Sequence, residues 1–258
     1  MIRVVKIGGN VVDNPALLKS FVADFARLEG PRVLVHGGGV LASQMQKELG
    51  MTPTMIQGRR VTDEQTLRIV TMVYAGWCNK NITALLQAEG CNACGLSGAD
   101  ADAIRAVRRP PLDIDGQKVD FGMVGDVSSQ GVNTELMKLL LGNGIVPVLC
   151  AINHDGHGNL LNTNADTIAS SVATALGPDS ELVFCFEKEG VLKDVDDPSS
   201  VIPHMTESEF ALLKEQGVIA GGMIPKLQNA FKAIRSGVRR VCIKHPSSLL
   251  GSGGTVLE

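Results

Sequence analysis

The stretch VLVHGGGVLASQMQKELG, residues 33–50, decides the fold. It opens on a short apolar run (candidate strand Arg32 to His36), turns through Gly37, Gly38 and Gly39, and continues as a helical pattern from Val40 to Leu49. A strand apolar on both faces belongs inside a parallel sheet, and the helix after it is the crossover such a sheet requires. VVKIGGN at residues 4–10 repeats the arrangement upstream, with Lys6 near the end of a strand from Ile2 to Ile7 and Gly8 and Gly9 in the turn. Further apolar runs at Val146 to Ala151, Glu181 to Phe186 and Arg239 to Ile243 extend the sheet. Helical patterns at Pro15 to Leu28, Glu64 to Ala88, Thr134 to Leu141, Ala165 to Leu176, Glu207 to Gln216 and Met223 to Ser236 cover it. The fold class is therefore α/β with a mostly parallel central sheet.

Between Ala103 and Val127 the pattern shortens, and turn signals at Pro110, Pro111 and Asp115-Gly116 predict β-hairpins appended to the N-terminal half. HDGHGN, residues 154–159, interrupts the pattern again and marks a boundary between an N-terminal lobe, 1–152, and a C-terminal lobe, 153–258. The chain of 258 residues is long enough for a substantial core; 44% hydrophobic and 20% charged residues exclude the disordered class. A net charge of −3 with interspersed signs, and one Trp and one Tyr, argue against a nucleic-acid partner; the Arg105, Arg108, Arg109 cluster is too short to change this. No apolar run reaches membrane-spanning length, and the N-terminus enters a strand directly, so no membrane partner and a cytoplasmic location are expected. Most of the six cysteines lie in apolar stretches as small hydrophobes; Cys91 and Cys94 form a CxxC without a second pair, so no metal site is assigned.

Four segments carry chemistry. The two glycine turns lie where α/β sheets collect ligands, at strand carboxyl ends, and let backbone N–H groups approach an anion; Lys6 is either a phosphate ligand there or a solvated lysine. Neither turn matches the GxxxxGK[ST] loop or a full GxGxxG fingerprint. His36 reads more readily as a strand-end residue satisfying a backbone group than as a catalyst. LLNTNADTIA places Asn162, Asn164 and Asp166 at a helix start, more polar groups than one cap needs. GGMIPKLQNA puts Lys226 in the first turns of a helix, against the macrodipole, a placement a phosphate would explain.

In this order, KIGGN, HGGG, GRRVTD, NTNAD and GGMIPK resemble the signature segments of the amino acid kinase family, and GRRVTD with NTNAD resembles its N-acetylglutamate kinase branch. The resemblance runs from residue 2 to about residue 256 and includes GLSGADA, FGMVGDV, NGIVPV and the terminal GGTV. It implies a three-layer αβα sandwich whose first half holds an acylated amino acid and contributes to a homodimer, and whose second half holds ATP. It further implies ATP-dependent phosphorylation, with Mg²⁺, of the γ-carboxylate of N-acetyl-L-glutamate, the second step of arginine biosynthesis. Carried over by motif, Lys6 and Lys226 grip the transferring phosphoryl group and Asp166 orders both. Gly8 and Gly9 donate to nucleotide phosphate, and Gly38, Gly39, Arg60 and Asn162 bind substrate, the last two at its α-carboxylate. N-succinyl-L-glutamate is an alternative acceptor; another substrate of the same family, or a non-catalytic amino-acid sensor, are remoter ones. FCFEKEG, residues 184–190, and IKHPSSL, residues 243–249, depart from the family pattern, so adenine and ribose contacts do not transfer. With the chain starting at its first strand, a dimer without arginine feedback is expected.

Overall fold

The computed structural model describes residues 1–258. Its central sheet has eight strands: β1 (Ile2–Ile7), β2 (Arg32–His36), β3 (Ala93–Leu96), β4 (Val146–Leu149), β5 (Ser180–Cys185), β6 (His204–Met205), β7 (Arg240–Lys244) and β8 (Thr255–Leu257). The order is β6-β8-β7-β5-β1-β2-β4-β3, and every pairing is parallel except β7 with β8. Strands β4 and β5 are buried at every position, which is why their sequences are continuous apolar runs with no alternation. The polar exceptions in β5 are satisfied: Ser180 Oγ donates to the carbonyls of Ala173 and Gly177, and Glu181 is clamped by Arg3 and Arg240.

The helices are α1 (Pro15–Ala26), α2 (Gly39–Glu48), α3 (Glu64–Thr71), α4 (Asn79–Ala88), α5 (Thr134–Gly142), α6 (Ala165–Leu176), α7 (Glu207–Glu215) and α8 (Met223–Arg235). Helix α6 packs on β1 and β5 and against α8, while α1 packs against α4, giving the three-layer αβα sandwich. Strand β1 pairs with β2 on one side and β5 on the other, so strands before residue 152 and after it join in one sheet. The predicted helix from Glu64 to Ala88 is continuous in space but not uniform. Its middle, Met72–Cys78, is π-helical, and there Tyr74 and Cys78 press on the glycine turn after β2. A Cβ on Gly38 would lie 2.9 Å from Tyr74 Cδ1 and 3.0 Å from Cys78 Sγ, so that turn closes only around a glycine.

Strand Leu112–Ile114 pairs with Gln117–Val119 across Asp115-Gly116, whose φ values of 51° and 79° fit a primed two-residue turn. HDGHGN likewise forms a hairpin tip, joining Ile152–His154 to Leu160–Asn162, with the Asp155 carboxylate accepting from the amides of His157 and Asn159. A third ribbon, Met55–Ile56 with Arg59–Arg60, carries the GRRVTD segment. Strands β3, β6 and β8 have no counterpart in the sequence reading. All lie toward the sheet margins and are two to four residues long, too short to register as apolar runs.

Candidate active site

The parallel strands β1, β2 and β5 end on one edge of the sheet, and the turns leaving them meet there. Gly38 precedes α2 and Gly222 precedes α8, neither helix start having a side-chain cap; first-turn amides of α2 remain free to donate, whereas at α8 the amides of Met223 and Ile224 already donate to the carbonyls of Ala220 and Gly221. Gly8 similarly precedes a short helical turn, Gly9–Val12, directly after the strand that carries Lys6. Helix α6 differs. Asn164 is its cap, accepting from the amides of Asp166 and Thr167 at 2.8 and 3.2 Å. The three polar residues of NTNAD thus divide their work: Asn164 caps, Asn162 donates to Thr62 Oγ1 at 3.0 Å, and Asp166 is released to pair with Lys6.

A cleft of about 210 Å³ opens between the Gly37–Gly39 turn, the Met55–Arg60 ribbon and the start of α6; Gly38, Gly39, Arg60, Tyr74, Arg109 and Asn162 line it. Arg60 is only 7% exposed. It donates to the Gly39 carbonyl at 2.8 Å, to Ser43 Oγ at 2.7 Å and to Gln46 Oε1, all neutral acceptors, and no carboxylate lies within ion-pair distance. Arg109 is different, its fork already closed on Asp126. His36, fully buried beside the cleft, hydrogen-bonds the Gly37 carbonyl through Nδ1 at 2.7 Å and Asn79 through Nε2 at 3.0 Å. Burial pulls its pKa down to about 4, so it is a neutral imidazole with both nitrogens engaged, the structural role its sequence context suggested.

At the strand edge Lys6 Nζ meets Asp166 Oδ1 at 2.7 Å. Lys226, half-buried in the first turns of α8, reaches the same place but forms no ion pair; its ammonium lies 3.9 Å from the centroid of the Phe186 ring. Burial lowers the Lys226 pKa from the ordinary lysine value, with Lys6 lowering it further and Asp166 opposing. Lys6 is also 5.4 Å from the Phe186 centroid. The structure therefore brings together Lys6, Asp166 and Lys226, and separately Gly38, Gly39, Arg60 and Asn162. Asp166 contacts Lys6 alone, although the resemblance implied that it orders both lysines.

The family model described as "Amino acid kinase family" matches residues 1–245. The chain belongs to the amino acid kinase family. It is 50% identical over its full length to acetylglutamate kinase of Bacteroides fragilis, covering 97% of that protein, and 49% identical to acetylglutamate kinase of Phocaeicola vulgatus, covering 98%. Among solved structures, N-acetylglutamate synthase from Neisseria gonorrhoeae complexed with coenzyme A and N-acetyl-glutamate superposes with a TM-score of 0.81. That match spans 99% of this chain and 59% of the synthase at 24% identity, a likeness of fold.

For this amino acid kinase family member, sequence reasoning missed two parts of the site. One is the contact of the Phe186 ring with both lysines, the residue having been marked only as part of the departing FCFEKEG segment. The other is a cavity of about 630 Å³ in the C-terminal half, walled by Lys188, Val191, Leu192, Val195, Ile219 and Met223. The signal for the cavity was the long segment 187–203 leaving the carboxyl end of β5, since extended irregular loops at that edge commonly bind ligands.

Proposed function

We propose that this chain transfers the γ-phosphoryl group of ATP to the γ-carboxylate of N-acetyl-L-glutamate, forming an acyl phosphate and ADP. The observation that carries the reading is Arg60, a buried cation with only neutral partners, opening into a cleft beside the Lys6–Asp166 pair. A buried charge without a counter-ion is costly, and an α-carboxylate entering the cleft would supply one. Asn162 adds an amide to the same wall.

The acceptor carboxylate, with an ordinary pKa of about 4.3, is ionised at neutral pH and needs no general base. Its oxygen attacks the γ-phosphorus while the bond to the β,γ-bridging oxygen breaks and ADP leaves. The protein's task is to bring two anions together and offset the charge on the equatorial oxygens. Lys6, Lys226 and the amides of Gly8, Gly9, Gly38 and Gly39 are assigned to it, with Asp166 holding Lys6. Mg²⁺ bound with the nucleotide would supply charge neutralisation at its phosphates. The cavity walled by Lys188, Val191 and Ile219 is assigned to the nucleotide base and ribose. Residues 1–152 then serve the acceptor and 153–258 the nucleotide, the Ile152–Asn162 hairpin lending Asn162 to the first half.

A homodimer in the cytoplasm completes the proposal. It is supported by Met72 and Trp77, 58% and 66% exposed on the π-helical stretch, and by six free thiols. Sedimentation of the wild type and of Trp77→Glu tests the dimer, the charge being expected to shift the chain to monomer.

A second reading, N-succinyl-L-glutamate as acceptor, is favoured by exposed Arg59 lining the cleft beside Arg60, since succinyl adds a carboxylate. Steady-state turnover with MgATP and each acyl-glutamate in parallel, trapping the acyl phosphate with hydroxylamine, decides between them. Turnover with neither would overturn the proposed function.

A further inference from the structure

We propose that Phe186 is a positioning residue for phosphoryl transfer: its ring face holds the Lys226 ammonium at the strand edge. The inference rests on the function proposed above. It begins from an imbalance of charge. Two ammonium groups come within 3.9 and 5.4 Å of one ring centroid, and only Lys6 has a carboxylate partner, at 2.7 Å. Lys226 is left partly desolvated without an ion pair, and that loss of hydration draws a flexible side chain outward toward water, although Asp166 and Glu187 attract it from a distance and Lys6 repels it. The negative face of an aromatic ring within about 6 Å opposes that drift, and such contacts strengthen as water is excluded.

The ring is itself fixed. Phe184 and Phe186 are two residues apart, so they share a sheet face, and their rings stack at 5.6 Å between centroids with an interplanar angle of 8°. Phe184 is paired in register with Lys6 on the neighbouring strand, so the strand pairing that places Lys6 also places the aromatic step beneath it. The Phe186 amide donates to the Lys244 carbonyl at 2.9 Å, extending the ladder one residue past β5. The platform is thus anchored to two strands, while Lys226 arrives from a helix whose start has no side-chain cap. An immobile ring that limits where the ammonium can go reduces the ordering left to do when the phosphoryl group is transferred.

The test compares Phe186→Leu, which keeps an apolar side chain of similar bulk but no ring face, with Phe186→Tyr, which keeps the ring. Phe186→Leu is expected to lower kcat about tenfold with little change in KM for MgATP or acceptor, and Phe186→Tyr to stay within about twofold of wild type. Protein labelled with ¹³C at the lysine ε-carbon gives a second reading without substrate. The Lys226 ε-methylene resonance, assigned by its loss in Lys226→Arg, is expected to show a ring-current shift in wild type and Phe186→Tyr that disappears in Phe186→Leu. An unshifted resonance in wild type, wild-type kcat in Phe186→Leu, or a loss confined to the KM for MgATP would each overturn the proposal. So would a folded Phe186→Tyr as impaired as the leucine variant. Wild-type silence toward both acyl-glutamates would instead count against the function, because the resonance is read independently of any acceptor.

Discussion

Arg60 and Lys226 are both buried or half-buried cations at the ligand edge of the sheet, yet the molecule holds them by opposite means. Arg60 is locked by three oxygen acceptors from α2, so its planar fork is aimed before any ligand arrives. Lys226 has a compact charge on a flexible stem, rests on an aromatic face, and stands next to a cavity walled by the irregular segment 187–203 and the loop before α8. The first half is built as a preformed mould, and the second as a place where a charge is steered. Recognition of a small, rigidly presented carboxylate favours the former; a phosphoryl group passing from donor to acceptor favours the latter.

Breaking the steered side should cost most. Lys6→Ala and Lys226→Ala are each expected to lower turnover by on the order of a hundredfold or more while melting cooperatively near wild type, because both act on charge in the transition state. Steady-state kinetics with thermal melting checks this, and near-normal turnover in either variant would remove it from the mechanism. Breaking the mould should show in binding. Arg60→Ala is expected to raise the acceptor KM about thirtyfold with a smaller effect on kcat, and Arg60→Lys to restore little, since a point charge cannot replace the fork. Equal recovery by lysine would show that only charge matters there. Gly38→Ala sharpens the comparison by straining the mould alone: its Cβ would meet Tyr74 and Cys78, at an expected cost of about 2 kcal/mol in chemical denaturation.

The smallest effect concerns Asp13, behind the turn after β1, whose carboxylate oxygens are buried without a regular hydrogen bond. Burial raises its pKa from 3.8 to about 6, against a smaller opposing pull from the Leu41 amide. The folded chain therefore keeps this proton longer than the unfolded chain, and the resulting stability is full below pH 3.8 and lost as pH rises through about 6. Asp13→Asn removes that slope. After discounting for solvent screening, it is expected to gain about 1 kcal/mol on wild type at pH 8 relative to pH 4. Parallel denaturation curves at the two pH values would show no such difference if the carboxylate is solvated.

Strands β1, β2, β4 and β5 were legible because burial on both faces demands unbroken apolar runs, and α6 was legible to the residue because Asn164 caps it and its last residue, Leu176, is followed by Gly177. Edge strand β3, Ala93–Leu96, was not: ACGL has no periodic signal, and its place comes from pairing with β4. The π-helical stretch was invisible because Met72–Cys78 satisfies a helical pattern whether or not one turn is widened. At the site, the glycine turns and Lys6 could be read from local chemistry, whereas the role of Arg60 came from resemblance alone. Which of Asn162, Asn164 and Asp166 was the cap depended on Thr62, about a hundred residues away in sequence, and on Lys6. Phe186 was marked only as part of the departing FCFEKEG segment, and its place under the lysines was not legible because an aromatic residue at the end of a buried strand ordinarily signals core.

The π-helical stretch also gives the chain built-in optical probes. Its single tyrosine, Tyr74, faces the cleft, and its single tryptophan, Trp77, stands three residues away on the exposed side. A ligand entering the cleft should perturb the ultraviolet difference spectrum of the one and leave the emission of the other alone, while association through the outer face should do the reverse. Two events, one at the buried and one at the exposed face of a single helix, can therefore be followed separately in unlabelled protein.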